Sequence, residues 1–152
     1  MRLCFLAVSA LVFLLDRLSK LWALKALSAK TITLIPELFD LRLAHNTGAA
    51  FSIFASSEGL IRELLLLFVP LLIALFVLYY GLFRARDRIT CLSLSFIFGG
   101  ALGNLYDRFF FGKVVDFIDI HYKSYHYPTF NLADAFIFVG VILLAVRGLR
   151  ES

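Results

Sequence analysis

Four long apolar runs, Leu3–Ala26, Leu60–Phe83, Ile89–Tyr106 and Asn131–Leu149, alternate with polar stretches along the chain. Each approaches the roughly 20 residues that a helix needs to cross a bilayer, so the pattern predicts four spanning helices. Two of the intervening stretches are long, about 27–59 and 107–130, and the third is the short connector Arg84-Ala85-Arg86-Asp87-Arg88. Within the first long stretch the period changes. Phe39-Asp40-Leu41-Arg42-Leu43 alternates apolar and polar, the period of a half-buried strand. Thr31-Ile32-Thr33-Leu34-Ile35 is also β-prone, and Pro36 separates the two. Asn46-Thr47-Gly48 marks a turn before Ala49-Ala50-Phe51-Ser52-Ile53-Phe54. The expected fold is therefore an all-α membrane protein forming one domain over residues 1–152. It has four transmembrane helices and a small sheet lying on the membrane face in the first long loop.

Composition agrees: 61% of the residues are hydrophobic, against about 45–50% in a soluble domain. The net charge of +4 has its explanation in topology, and no nucleic-acid partner is needed to account for it. An even number of spans puts both termini on one side, together with Arg2, the three-arginine connector, Arg147 and Arg150. The positive-inside rule places that side in the cytoplasm and the two long loops outside, although Lys20 and Lys25 near the outer end of the first helix pull the other way. The first run reads as a retained anchor, because its helical pattern continues through Trp22 with no small-x-small cleavage site before a polar region. Cys4 does not read as a lipidation site. With Cys91 it suggests neither a disulfide framework nor a metal site.

Several chemistries are absent from the sequence. There is no His-Glu-x-x-His zinc spacing, no Gly-x-Ser-x-Gly nucleophile and no Walker-type phosphate loop. Carboxylates remain, with no metal or cofactor required. A charge at mid-bilayer costs roughly 2.5–3.5 kcal/mol on insertion scales, so acids in or beside the apolar runs call for a reason. Asp134 opens the last run, and Asp116 follows two valines in Val114-Val115-Asp116-Phe117. The stretch 117–130 can bring Asp116 back over the fourth helix. Two carboxylates in one sheltered site share a proton, the chemistry of an aspartic protease. Plainer roles also fit: Asn131 as a helix N-cap and Asp134 as a first-turn acid.

Asp16 and Lys20 are spaced i, i+4 in the orientation that favours a structural ion pair. Gly99 and Gly103 permit close helix approach. Asn104, Asp107 and Arg108 share a helix face, where Arg108 is expected to pair with Asp107 or to bond a nearby carbonyl. The aromatic cluster His121-Tyr122, Tyr125-His126-Tyr127 reads first as an interfacial anchor.

Five blocks in order carry a resemblance. They are Asp16-x-x-Ser19-Lys20; Asn46-x-Gly48-Ala49-Ala50-Phe51; Gly99-Gly100-Ala101-x-Gly103-Asn104-x-x-Asp107-Arg108; Val114-Val115-Asp116-Phe117; and Phe130-Asn131-x-Ala133-Asp134. Together they resemble the bacterial lipoprotein signal peptidases (type II signal peptidases), intramembrane aspartic endopeptidases. The resemblance implies a catalytic dyad of Asp116 and Asp134, supported by Asn46, Asn104, Arg108 and Asn131, with Asp16 near the outer end. Lys20, Gly48 and Asp107 fall in the same blocks and join the supporting set. It also implies a β-cradle roofing the site from the first outer loop, and a diacylglyceryl-modified prolipoprotein substrate cut just before its lipidated cysteine. The working partners would be that substrate and membrane lipids, with the enzyme a monomer in the inner membrane and its site near the outer face. The alternative from the residues alone is a small proton-coupled transporter or channel using Asp16, Asp107 and Asp134 as a relay, and third a purely structural assembly factor.

Overall fold

The computed structural model describes residues 1–48 and 59–151. The expected continuation Ala49–Phe54, with the end of the second sequence block, lies outside the described residues. The elements run α1 (Arg2–Ala26), β1 (Ile32–Ile35), β2 (Phe39–Asn46), α2 (Gly59–Phe83), α3 (Arg88–Phe111), β3 (Val114–Tyr122), β4 (Tyr125–His126) and α4 (Leu132–Glu151). Four helices thus stand where the apolar runs predict them. Among the described residues α2, α3 and α4 are long and apolar enough to cross a membrane. α1 is equally long, but Asp16, Arg17, Lys20 and Lys25 crowd its second half.

Asp16 and Lys20 point inward, Arg17 is half-buried, and Lys25 stays exposed. The buried positions of α1 are Phe5, Ser9, Val12, Asp16, Lys20 and Ala23, a stripe at the i, i+3/i+4 spacing of one helix face. Leu3, Leu11, Leu14, Leu18 and Leu21 are exposed on the other faces. This inverts the amphipathic pattern of a water-soluble helix: leucines cover the outside and the charged pair is enclosed.

α3 is the central helix, packed against all three others. Small residues let its neighbours close in. A Cβ on Gly99 would lie 2.6 Å from the Ser9 carbonyl oxygen of α1, and one on Gly100 would lie 2.6 Å from the Ala133 carbonyl oxygen of α4. A Cβ on Gly103 would collide with the Asp16 carboxylate. α3 begins at Asp87, whose side chain accepts the Thr90 N–H at 3.0 Å. It stops at Gly112, which takes a left-handed φ of 68° that glycine adopts without steric cost.

The sheet differs from expectation. Its four antiparallel strands lie in the order β1-β2-β3-β4, so half of it comes from the second long loop and not the first alone. α3 also runs on to Phe111, five residues past the expected Tyr106. The cause is visible in the residues: Val114-Val115-Asp116-Phe117-Ile118-Asp119-Ile120 is rich in β-branched and aromatic residues, and Val114, Val115 and Phe117 pack inward. β2 pairs with β3 so that Ala44 faces Asp116 and Asn46 faces Val114. After the β3–β4 hairpin the chain returns to β3, where Phe130 bonds Ile118 in both directions, at 2.9 and 3.1 Å.

Replacing Gly100 by Ala should push α4 off α3, because the clash is with backbone and not with a flexible side chain. We expect a loss of about 1–3 kcal/mol, measured as a lowered midpoint of thermal unfolding in detergent. An unchanged midpoint would mean the α3–α4 seam is not tight.

Candidate active site

Asn131 is the node of the site. It precedes α4 and is fully buried. Its Oδ1 accepts the Asp134 N–H at 2.9 Å, while Asp134 Oδ2 accepts the Asn131 N–H at 3.3 Å. This reciprocal arrangement is a capping box, with Asn and Asp in place of the commoner residues. Because the cap engages Oδ1, the amide nitrogen must face the other way. There Nδ2 donates to Asp116 Oδ1 at 2.8 Å, with Asn104 Oδ1 at 3.0 Å and the Val115 carbonyl at 3.3 Å also in reach. The N-cap reading of Asn131 holds, and the same side chain also bonds Asp116.

Asn104 of α3 is the second connector. Its Nδ2 donates to Asp134 Oδ1 at 2.7 Å, and its Oδ1 accepts from Asn131 and from Lys20 Nζ, the latter at 3.1 Å. Asp116 and Asp134 are therefore held by two interlocked amides. Asp116 is 1% exposed and also bonds the Asn46 side chain, a diagonal neighbour across β2–β3. Burial, reinforced by the negative charge of Asp134, pushes the Asp116 carboxyl up to about 7 despite the Asn131 and Asn46 amides, which favour its ionised form.

Behind the amides sits a charged cluster. Lys20 has no solvent exposure and lies 2.8 Å from Asp16 Oδ2 and 3.0 Å from Asp107 Oδ2. The expected i, i+4 pair is present, but it is one part of a larger network. Asp16 Oδ1 accepts the Ala133 N–H at 2.9 Å, satisfying another free donor in the first turn of α4. Asp107 pairs through Oδ1 with Arg17, and through Oδ2 accepts the Val115 N–H at 3.1 Å.

Arg108 therefore has a different setting from the one expected. With the Asp107 oxygens engaged by Arg17, Lys20 and Val115, Arg108 lines a cavity of about 500 Å³ with Asn46, Thr47, Arg62 and Glu63. From there its charge acts on Asp134 and Asp116. Gly48, with φ 87°, donates its N–H to Asn46 Oδ1 at 2.8 Å and so braces the Asn46 amide. On the other flank of Asp134 lies an apolar cleft of about 610 Å³ bounded by Ile120, Tyr127, Phe130, Phe138 and Val139. The site is thus cationic on one flank and apolar on the other.

His121 and His126 brace the sheet. His121 Nε2 lies 3.1 Å from Asp40 Oδ2, and His126 Nδ1 lies 2.9 Å from Asp119 Oδ1, with the two rings stacked at 4.6 Å. Arg42 reaches the same Asp119 at 3.1 Å. Sequence reading missed Arg17 and Asp119. No spacing rule links Arg17 to a carboxylate 90 positions away.

The family model described as Signal peptidase (SPase) II matches residues 8–150. A protein named lipoprotein signal peptidase from Clostridium novyi is 50% identical over 142 residues, covering 91% of this chain and 93% of that one. Another of that name from Pseudomonas aeruginosa (strain UCBPP-PA14) is 44% identical over 153 residues, covering 99% and 90%. The fold is also similar to a bacterial membrane enzyme solved by the in meso method at 1.9 Å, with a TM-score of 0.82 and 28% identity over 97% of this chain and 94% of that one.

Removing Lys20 leaves two buried acids facing each other. Lys20→Met should cost about 3–5 kcal/mol of stability, read as loss of folded protein in a detergent unfolding titration. Adding Asp107→Asn should return part of that loss; a stable Lys20→Met single variant would show that the cluster is not held by charge.

Proposed function

The chain belongs to the Signal peptidase (SPase) II family, and from that premise we propose that it removes the signal peptide from diacylglyceryl-modified prolipoproteins as an aspartic endopeptidase, cutting just before the lipidated cysteine. Asp116 and Asp134 are the catalytic pair. The observation that carries the reading is that both carboxylates, Asp116 buried and Asp134 half-buried, are bound by one interlocked pair of amides, Asn131 and Asn104.

In this mechanism one carboxylate of the pair is ionised and takes a proton from a water molecule, which attacks the scissile carbonyl. The other is protonated and donates to the carbonyl oxygen. The two titrate as a unit, and an Asp116 carboxyl raised to about 7 fits one proton held between them at neutral pH. Arg108 and the amides offer donors to the developing oxyanion. The apolar cleft beside Asp134 suits the hydrophobic parts of a lipidated substrate. Asn131, Asn104, Asn46 and Gly48 keep the carboxylates in place, with Asp16, Lys20 and Asp107 behind them.

α1 is the fourth span in this reading, with leucines toward lipid and the Asp16–Lys20 pair enclosed. Both termini are cytoplasmic, the site lies at the extracytoplasmic end, and the enzyme works as a monomer among membrane lipids. The proton-relay alternative is disfavoured because Asp16 and Asp107 are neutralised by Lys20 and Arg17 at the same end of the bundle as Asp134. They do not step across it.

Asp116→Asn and Asp134→Asn should each lower cleavage of a diacylglyceryl-modified prolipoprotein by roughly 10²–10⁴-fold while the purified protein stays folded. Full activity in either variant refutes the pair. The pH dependence follows from the raised carboxyl: below about 7 Asp116 holds its proton, and above it the pair loses the acid. The rate kcat/KM should therefore fall on the alkaline side with a midpoint near 7. A rate that stays level well above that midpoint would exclude Asp116 as the proton-holding partner.

A further inference from the structure

The cluster behind the proposed pair is balanced in formal charge, with Asp16 and Asp107 set against Arg17 and Lys20. Lys20 is wholly enclosed, whereas Arg17 enters from the rim with 11% of its side chain exposed. Its guanidinium pairs with Asp107 and lies 4.5 Å from the centre of the Tyr106 ring, so α3 holds it by two adjacent residues. Cation–π contact adds to the ion pair where water is excluded.

Two arms lead from this cluster to the two carboxylates. In the first, Asp107 Oδ2 accepts the Val115 N–H at 3.1 Å, which fixes the peptide next to Asp116. In the second, Lys20 bonds Asn104 Oδ1 at 3.1 Å, and Asn104 Nδ2 bonds Asp134 Oδ1 at 2.7 Å. Both arms depend on Asp107 and Lys20 sharing the load. If Arg17 were absent, Lys20 would be the single cation facing two acids. It would be drawn toward them and away from Asn104, and a net negative charge would stand behind the pair.

We propose that Arg17 is a positioning residue for the peptidase reaction: it keeps the buried cluster neutral, and through Asp107 and Lys20 it fixes the placement and charge of the Asp116–Asp134 pair. The inference rests on that pair being the catalytic one. The charged and polar groups around Asp116 are Asp134 of α4, Lys20 of α1, and the amides of Asn131 and Asn46. Arg108 of α3 acts on both acids. Asp107 in turn is faced by Arg17 and Lys20 of α1 and by the Val115 N–H of β3. A change of one charge in the cluster is therefore felt at the pair across a low-dielectric interior, where screening by salt is weak.

The test is the pH profile of kcat and kcat/KM for the full chain purified in detergent, with a diacylglyceryl-modified prolipoprotein as substrate. Arg17→Gln, Asp107→Asn, the double variant, Arg17→Lys and Asp116→Asn are run beside the wild type. Arg17→Gln should lower kcat roughly 10-fold, with KM within about twofold, and move the alkaline limb up by roughly half to one pH unit. Asp107→Asn should move the limb down, and the double variant should return it to the wild-type position. Arg17→Lys should keep that position, because it keeps the charge. A wild-type limb in Arg17→Gln, or a shift of the same sign in both single variants, overturns the proposal. If Arg17→Gln does not fold, an unmoved limb in Asp107→Asn overturns it equally. Cleavage by Asp116→Asn would instead remove the catalytic pair itself, which is a separate result from any of these.

Discussion

An ammonium group shut away from water at one end of an apolar bundle imposes conditions on everything around it. The idealised cost of taking such an ion into a low-dielectric medium is large, and several kcal/mol persist after relaxation. The fold meets this by bringing acceptors to Lys20 from α1 and α3 together: Asp16, Asp107 and Asn104. That requirement fixes more than the lysine. Asp16 must approach α3 closely, so position 103 has no room for a side chain. The same Asp16 receives the Ala133 N–H, so the start of α4 is tied to α1. Three helices are registered on one buried charge.

The polar site is laid over this foundation by two asparagines, whose amides donate and accept at once. A side chain with both functions can donate to a carboxylate while accepting from an ammonium or a backbone N–H, which neither a lysine nor an ionised aspartate could do. At Asn131 the capping of α4 decides which end of the amide faces β3. The orientation of the site is therefore a by-product of helix initiation, and the local rule and the chemistry cannot be separated. The sheet contributes by register. The pairing of Asn46 with Val114 and of Phe130 with Ile118 brings both flanks of Asp116 into position.

The helices were legible in the sequence because long apolar runs admit few other structures, and the acids stood out because they interrupt or border those runs. β1 and β2 were legible from alternation and from the break at Pro36. β3 was not, since Val114–Tyr122 begins with four buried residues in succession and lacks the clean polar face that marks a half-exposed strand. α3 outran its predicted end because Phe109, Phe110 and Phe111 continue the helix until Gly112 ends it. Partner assignments were the least legible. Asp107 is adjacent to Arg108 in sequence yet pairs with Arg17, because adjacent residues on a helix point about 100° apart. Spacing rules apply within one element, and these contacts join different ones.

The dependence of Asp134 on the cap at Asn131 has a consequence for the life of the chain. Synthesis delivers α4 last, after α1 and α3 have been made. The carboxylate geometry needs Asn104 from α3, Asp116 from β3 and a formed first turn of α4. A partly inserted chain therefore has its acids but lacks the contacts that hold them together. The pairing of Asp116 with Asp134 is thus a property of the finished bundle, acquired only once its last helix has been made and capped.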